Sequence, residues 1–155
     1  MALVALCVLL SQTQRLHSSV EIGSISEVRG NAQVLRDKPY DAELQFNIQQ
    51  MDDVRTEAGR VAITFEDNST VKLTEHSKLV IDEYIYDPDP SKSKMALKFA
   101  SGTARFITGK FNNKSNISIR TPTANIAIRG TDFTCTVDEL GRSLVILLPD
   151  ENGIS

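Results

Sequence analysis

A chain of 155 residues suffices for one domain with a buried core, and 41% hydrophobic with 24% charged residues is the balance of a folded protein with a solvated surface. A formal net charge of −3 without a long run of either sign argues against a main partner of nucleic acid, although a small basic patch remains compatible with it. Two cysteines (Cys7, Cys135) and two histidines (His17, His76) cannot supply the paired ligands of a structural zinc site, and without tryptophan the core must be mostly aliphatic.

Met1 to Leu10 is nearly all apolar and Ser11 to Ser19 is polar. This length suits the core of a signal peptide and is too short to cross a bilayer as a helix. The first positive charge is Arg15, so the usual basic start is missing. A short buried helix or strand is the competing reading. We take residues 1–19 as a signal peptide cut near Ser18 or Ser19, and residues 20–155 as the domain, periplasmic or secreted. Leu6 before Cys7 excludes lipidation, which needs a small residue there.

From Glu21 onward, short apolar alternations are broken by turn residues. Ile25 and Val28 lead to a turn at Arg29-Gly30-Asn31, after which Ala32, Val34 and Arg36 share a face. Asp37 to Tyr40 is a loop. Asp41 to Asp53 fits a strand through Leu44, Phe46 and Ile48, or a helical stripe through Leu44, Ile48 and Met51; the strand is preferred. Val54 to Ala58 closes on Gly59. Val61, Ile63 and Phe65, a turn at Glu66 to Ser69, then Val71 and Leu73 make the clearest hairpin. Leu79, Ile81 and Glu83 continue, and Asp87 to Lys94 is a polar loop whose prolines exclude helix and ladder. Met95, Leu97 and Phe99 precede a turn at Gly102; Ala104 and Phe106 follow. Asn112-Asn113-Lys114 turns into Ile117 and Ile119. Leu144 to Leu148 is a last apolar run, either buried or made an edge by Pro149. The sum is ten to twelve strands of four to six residues.

No motif carries recognisable catalysis. His76 reads as an exposed turn residue, and Cys135, in phase with Phe133 and Val137, reads as a small core hydrophobe. Asp82, Glu83, Asp87 and Asp89 lack the spacing of a calcium loop, and with Asp52, Asp53 and Glu57 they read as solvated charge. Arg129, beside a bend at Gly130, reads as a structural clamp with Asp132 as its nearest candidate partner.

The segment Arg120-Thr-Pro-Thr-Ala-Asn-Ile-Ala-Ile-Arg-Gly-Thr-Asp-Phe133 is strand, bend and strand, with Pro122 at the entrance. It resembles the signature of the FecR-like domain family, in Thr121, Pro122, Arg129, Gly130, Thr131 and Phe133. Met51-Asp-Asp-Val-Arg-Thr56 is similar to the family's Gly-Asp-x-Val-x-Thr segment, with Met51 in the glycine's place. Arg60 to Leu73 resembles the hairpin that follows, and Ser101 to Phe106 the strand before the signature. The resemblance implies an all-β fold, a two-layered solenoid- or sandwich-like stack of short antiparallel strands. It also implies a protein-binding role without catalysis; no motif in the chain calls for a metal or a cofactor. Sigma-regulating members join such a periplasmic module to a membrane span and a cytoplasmic region; this chain is similar to the module alone.

The leading expectation is therefore an exported, non-catalytic β-domain that binds a protein partner in envelope signalling or scaffolding. It has no nucleic-acid partner and no stable membrane span. The alternative is a structural component of a surface or phage-virion-like assembly. The sequence reads as stopping early after Leu148, and an edge left at Val145 and Leu147 would favour homo-oligomers or strand addition.

Overall fold

The computed structural model describes residues 20–109, 116–128 and 132–149. Within them every regular element is a strand: β1 (Glu21–Leu35), β2 (Pro39–Asp41), β3 (Asn47–Gln49), β4 (Asp53–Phe65), β5 (Thr70–Leu73), β6 (Lys78–Ile85), β7 (Lys94–Ile107), β8 (Asn116–Arg120), β9 (Asn125–Ile128), β10 (Phe133–Val137) and β11 (Ser143–Leu147). The expected all-β class is found. Residues 1–19, with Cys7 and His17, the turn at Asn112-Asn113-Lys114, and the bend Arg129-Gly130-Thr131 lie outside the described residues.

The strands form one sheet with the path β11-β10-β7-β5-β4-β1-β2. A second route closes it: β6 pairs with the start of β4 through Asp53 to Arg55 and with the first half of β7 through Lys94 to Ser101. The far half of β4 pairs with β5, and β5 with the far half of β7. Strands β4, β5, β7 and β6 therefore close a small barrel. Strand β1, with β2 and β3, hangs from β4; β10 and β8 hang from the two halves of β7, carrying β11 and β9.

Long strands make this possible, and they correct the expected uniform run of short ones. β1, β4 and β7 contain 15, 13 and 14 residues. The expected turns at Gly30, Gly59 and Gly102 are bends inside them. Gly30 and Gly59 are cross-strand partners, and a Cβ on Gly30 would meet the Ala58 carbonyl oxygen at 2.3 Å. A Cβ on Gly59 would meet the Asn31 carbonyl oxygen at 2.5 Å. The glycines serve a close backbone approach at a bulge, not a reversal. Gly102, at φ +94°, bends β7 over Ser77, so that one strand serves both β6 and β5.

Two further expectations change. The chain leaves the end of β7 and returns to its beginning, so β8 pairs with β7 in parallel, from Lys94↔Asn116 to Lys98↔Arg120. Between Asp41, the end of β2, and Asp53, the start of β4, only β3 is strand. Gln45, at φ 65°, turns the chain so that its N–H and the Phe46 carbonyl bond Ile25, leaving Leu44 exposed and Ile48 buried.

The core follows the alternation. Ile25, Val34, Val54, Ile63, Leu79, Ile81, Phe99 and Ile119 are completely buried. Each such side chain stabilises the fold by about 1.5–3 kcal/mol relative to exposure. Phe106 stacks on Phe133 at 4.6 Å between centroids and meets Phe99 edge-on at 6.4 Å. A bulge between Ile81 and Glu83 shifts the phase of β6, so Tyr84 takes the core position expected of Glu83.

Candidate functional site

The sequence signature builds a corner. Thr121, which is buried, accepts the Ala124 N–H at 3.0 Å on its hydroxyl, while its own N–H donates to the Ala124 carbonyl at 2.9 Å. The tight turn that results seats Pro122 where the chain needs no ladder donor. The Thr121 hydroxyl also meets the Ser143 hydroxyl at 2.6 Å, and Thr123 donates to the Gly141 carbonyl at 2.7 Å. The turn before β9 is thereby fastened to the one between β10 and β11. That second turn is held by Asp138, which accepts the Leu140 and Arg142 N–H groups at 3.0 and 2.9 Å and the Arg142 side chain at 2.6 Å. The Arg142 hydrogen bond holds the Asp138 carboxyl below its ordinary range.

Phe133 lies in the core on Phe106, and Cys135 beside it is a free, fully buried thiol pushed up by burial. Arg129, Gly130 and Thr131 lie outside the described residues. Asp132, the expected partner of Arg129, accepts the Thr108 N–H on its carboxylate at 3.0 Å, and its carbonyl takes the Leu148 N–H at 2.9 Å.

The segment from Met51 to Thr56 is a second cluster, and here the reading of Asp52 as solvated charge is overturned. Asp52 is fully buried, and its carboxylate accepts a two-pronged pair from Arg36, Nε to Oδ1 and Nη2 to Oδ2, both at 2.7 Å. It also accepts the Gln49 N–H at 2.9 Å. That hydrogen bonding raises the Arg36 pKa. The guanidinium lies 5.6 Å from the Phe46 ring centre and 5.8 Å from that of Tyr40, and it donates to the Asn47 carbonyl. Thr56 donates to the Thr74 carbonyl at 2.6 Å and accepts the Ser77 N–H at 2.8 Å, fixing the turn between β5 and β6. One signal in the sequence pointed here: Arg36 is in phase with core residues Ala32 and Val34, and an arginine on a core face requires an acid.

A second buried carboxylate, Asp67, is likewise used within the fold. Its oxygens accept the Tyr84 hydroxyl at 3.1 Å and the Ser69 hydroxyl in a short bond. Ser69 in turn accepts the Gly109 N–H at 3.0 Å. Burial, then the Asp67 charge, drives the Tyr84 phenol far above its ordinary range.

The other candidates stay apart. His76 sits in a turn at φ 54° with its N–H on the Glu57 carbonyl. Asp82, Glu83 and Asp89 pair with Lys98, Lys94 and Lys92. Among the described residues no three His, Cys, Asp or Glu side chains are placed to hold a metal ion, and no helix is long and apolar enough to cross a membrane.

The fold and its clusters define an all-β module closed through a small barrel, whose buried polar side chains brace turns and strand crossings. A family model described as FecR protein matches residues 52–149. The chain belongs to the FecR family. No curated protein and no solved structure matches it.

Proposed function

We propose that the chain is an exported, non-catalytic β-module that acts by binding a protein partner in envelope signalling. The observation that carries this is membership of the FecR family, a family of envelope regulators, over residues 52–149. The buried carboxylates support it, since Asp52 and Asp67 are consumed by Arg36, Ser69 and Tyr84 within the fold. In this reading residues 1–19 are a signal peptide and residues 20–155 the domain, located in the periplasm or secreted. The two halves of the bent strands β4 and β7 would be the family's two facing layers. Thr121, Pro122, Arg129, Gly130, Thr131 and Phe133 hold the fold rather than touch a ligand. No observation favours a structural role in a surface or virion-like assembly.

The test is expression with the native N-terminus in a bacterium, followed by cell fractionation and intact mass. The reading predicts a periplasmic or secreted species cut near Ser18 or Ser19. A full-length cytoplasmic species contradicts it.

A further inference from the structure

We propose that the outer face of β1, β4, β5, β7, β10 and β11, together with the edge of β11 that is unpaired among the described residues, docks an acidic partner protein that adds a strand to β11. This rests on the protein-binding reading above and names its surface.

The strand register lays out that face. One row runs Arg29, Arg60, Thr74, Thr103, Thr136, Leu144. The neighbouring row runs Ala62, Lys72, Arg105, Thr134, Ile146. The face thus grades from an apolar edge through threonines to a cationic half, the Lys72 strand lying about 14 Å from β11 at ordinary strand spacing. Among the described residues no hydrogen bond or ion pair engages the side chain of Arg60, Lys72 or Arg105. Glu27, the acid at the end of the second row, is held by Arg29 at 3.3 Å. The contrast lies on β6 and the first half of β7, where Lys94 and Lys98 are each answered by a carboxylate. In a chain of net charge −3, an unanswered cationic face is a local device rather than a consequence of composition.

The edge supplies the second half of the argument. Among the described residues β11 pairs only with β10. The bonds Asp138 N–H to Arg142 and Leu148 N–H to Asp132 set the phase of this ladder. Leu144 and Ile146 therefore bond β10, and Ser143, Val145 and Leu147 point their N–H and C=O groups outward. Leu144, Ile146 and Leu147 are 59%, 51% and 68% exposed. No charge or proline within Ser143–Leu147 blunts the edge, which leaves a template for an added strand. A second copy paired through β11 would present the same cationic face and leave those charges unanswered; an acidic partner neutralises them.

The test uses the full chain and synthetic peptides in which an alternating Val–Thr strand ends in a run of glutamates or of lysines, read by fluorescence anisotropy. The glutamate peptide should bind, more weakly as salt rises, and the double variant Lys72→Glu/Arg105→Glu should weaken it at least about tenfold. Leu147→Pro, which removes an outward donor and leaves the β10 ladder intact, should abolish binding, as should Ile146→Glu, which puts on the edge a charge that repels the glutamate run. Circular dichroism confirms that each variant folds. Equal binding of the lysine peptide, binding unaffected by both edge variants, or no binding overturns the proposal. So does a dimer in sedimentation that Leu147→Pro splits, because the occupant is then a second copy. A partner cross-linked in the envelope that ignores all these variants defeats this surface alone, whereas the absence of any cross-linked partner defeats the protein-binding reading itself.

Discussion

Gly30 and Gly59 face each other across β1 and β4, and neither has room for a side chain. Their backbones approach so closely that an added Cβ lands on a carbonyl oxygen of the opposite strand. Here β1 bulges between Gly30 and Ala32, and the pair of strands bends as it passes from the β5 side of the barrel to the β6 side. Gly30→Ala adds a second penalty, because its φ is +68°. It should cost at least about 2 kcal/mol, from overpacking and left-handed strain together. Urea unfolding measures this, and a variant as stable as the wild type would remove the crossing from the account.

The Arg36–Asp52 pair makes a different demand. Arg36→Met leaves Asp52 unexposed with only the Gln49 N–H, and should cost about 3 kcal/mol. Arg36→Met/Asp52→Leu removes the stranded charge and should recover at least half of that loss. A double-mutant cycle with no coupling energy would show that the two residues are independent.

Met51 occupies the left-handed region at φ 72° with its side chain 59% exposed. The glycine of the similar family segment thus has a backbone reason, and methionine is the strained choice. Met51→Gly should stabilise the domain by about 0.5–1 kcal/mol, a gain readable as a rise in melting temperature.

The strands were legible where one face is buried without interruption, as in Val61, Ile63 and Phe65 against Val71 and Leu73. They were misread wherever a distant backbone decides the outcome. A glycine in a strand pattern marks a turn or a crossing, and what makes Gly59 a crossing is Asn31 and Arg29, far away in sequence. The phase error at Glu83 has the same origin, since the bulge that promotes Tyr84 to the core is a property of the β6–β7 pair. Asp52 was unreadable as a buried residue from its neighbours alone; only Arg36 on a core face hinted at it. Of the signature, Thr121 and Phe133 each meet a partner, Ser143 or Phe106, from another strand or turn.

Alkaline pH should weaken the fold through Tyr84. Burial and Asp67 raise its folded pKa above the unfolded value near 10.0, so its contribution is complete below that pH and is lost as pH rises beyond it. Cys135, raised by burial from 9.0, acts in the same direction. Unfolding free energy should therefore fall between about pH 8 and about pH 11, by up to about 1.4 kcal/mol per unit for each group. Tyr84→Phe should flatten that slope while lowering stability at neutral pH by about 1–2 kcal/mol, through the lost Asp67 hydrogen bonds. An unchanged slope would mean that Tyr84 titrates as in the unfolded chain.

The claim that this domain works by holding another envelope protein is tested most directly by photo-cross-linking in living cells. Photoreactive residues would be placed singly over exposed positions of the chain, including Arg105 and Leu147. The account predicts one discrete adduct with a second envelope protein, arising from a contiguous patch of positions. No adduct from any position, with the domain folded and exported, would contradict it.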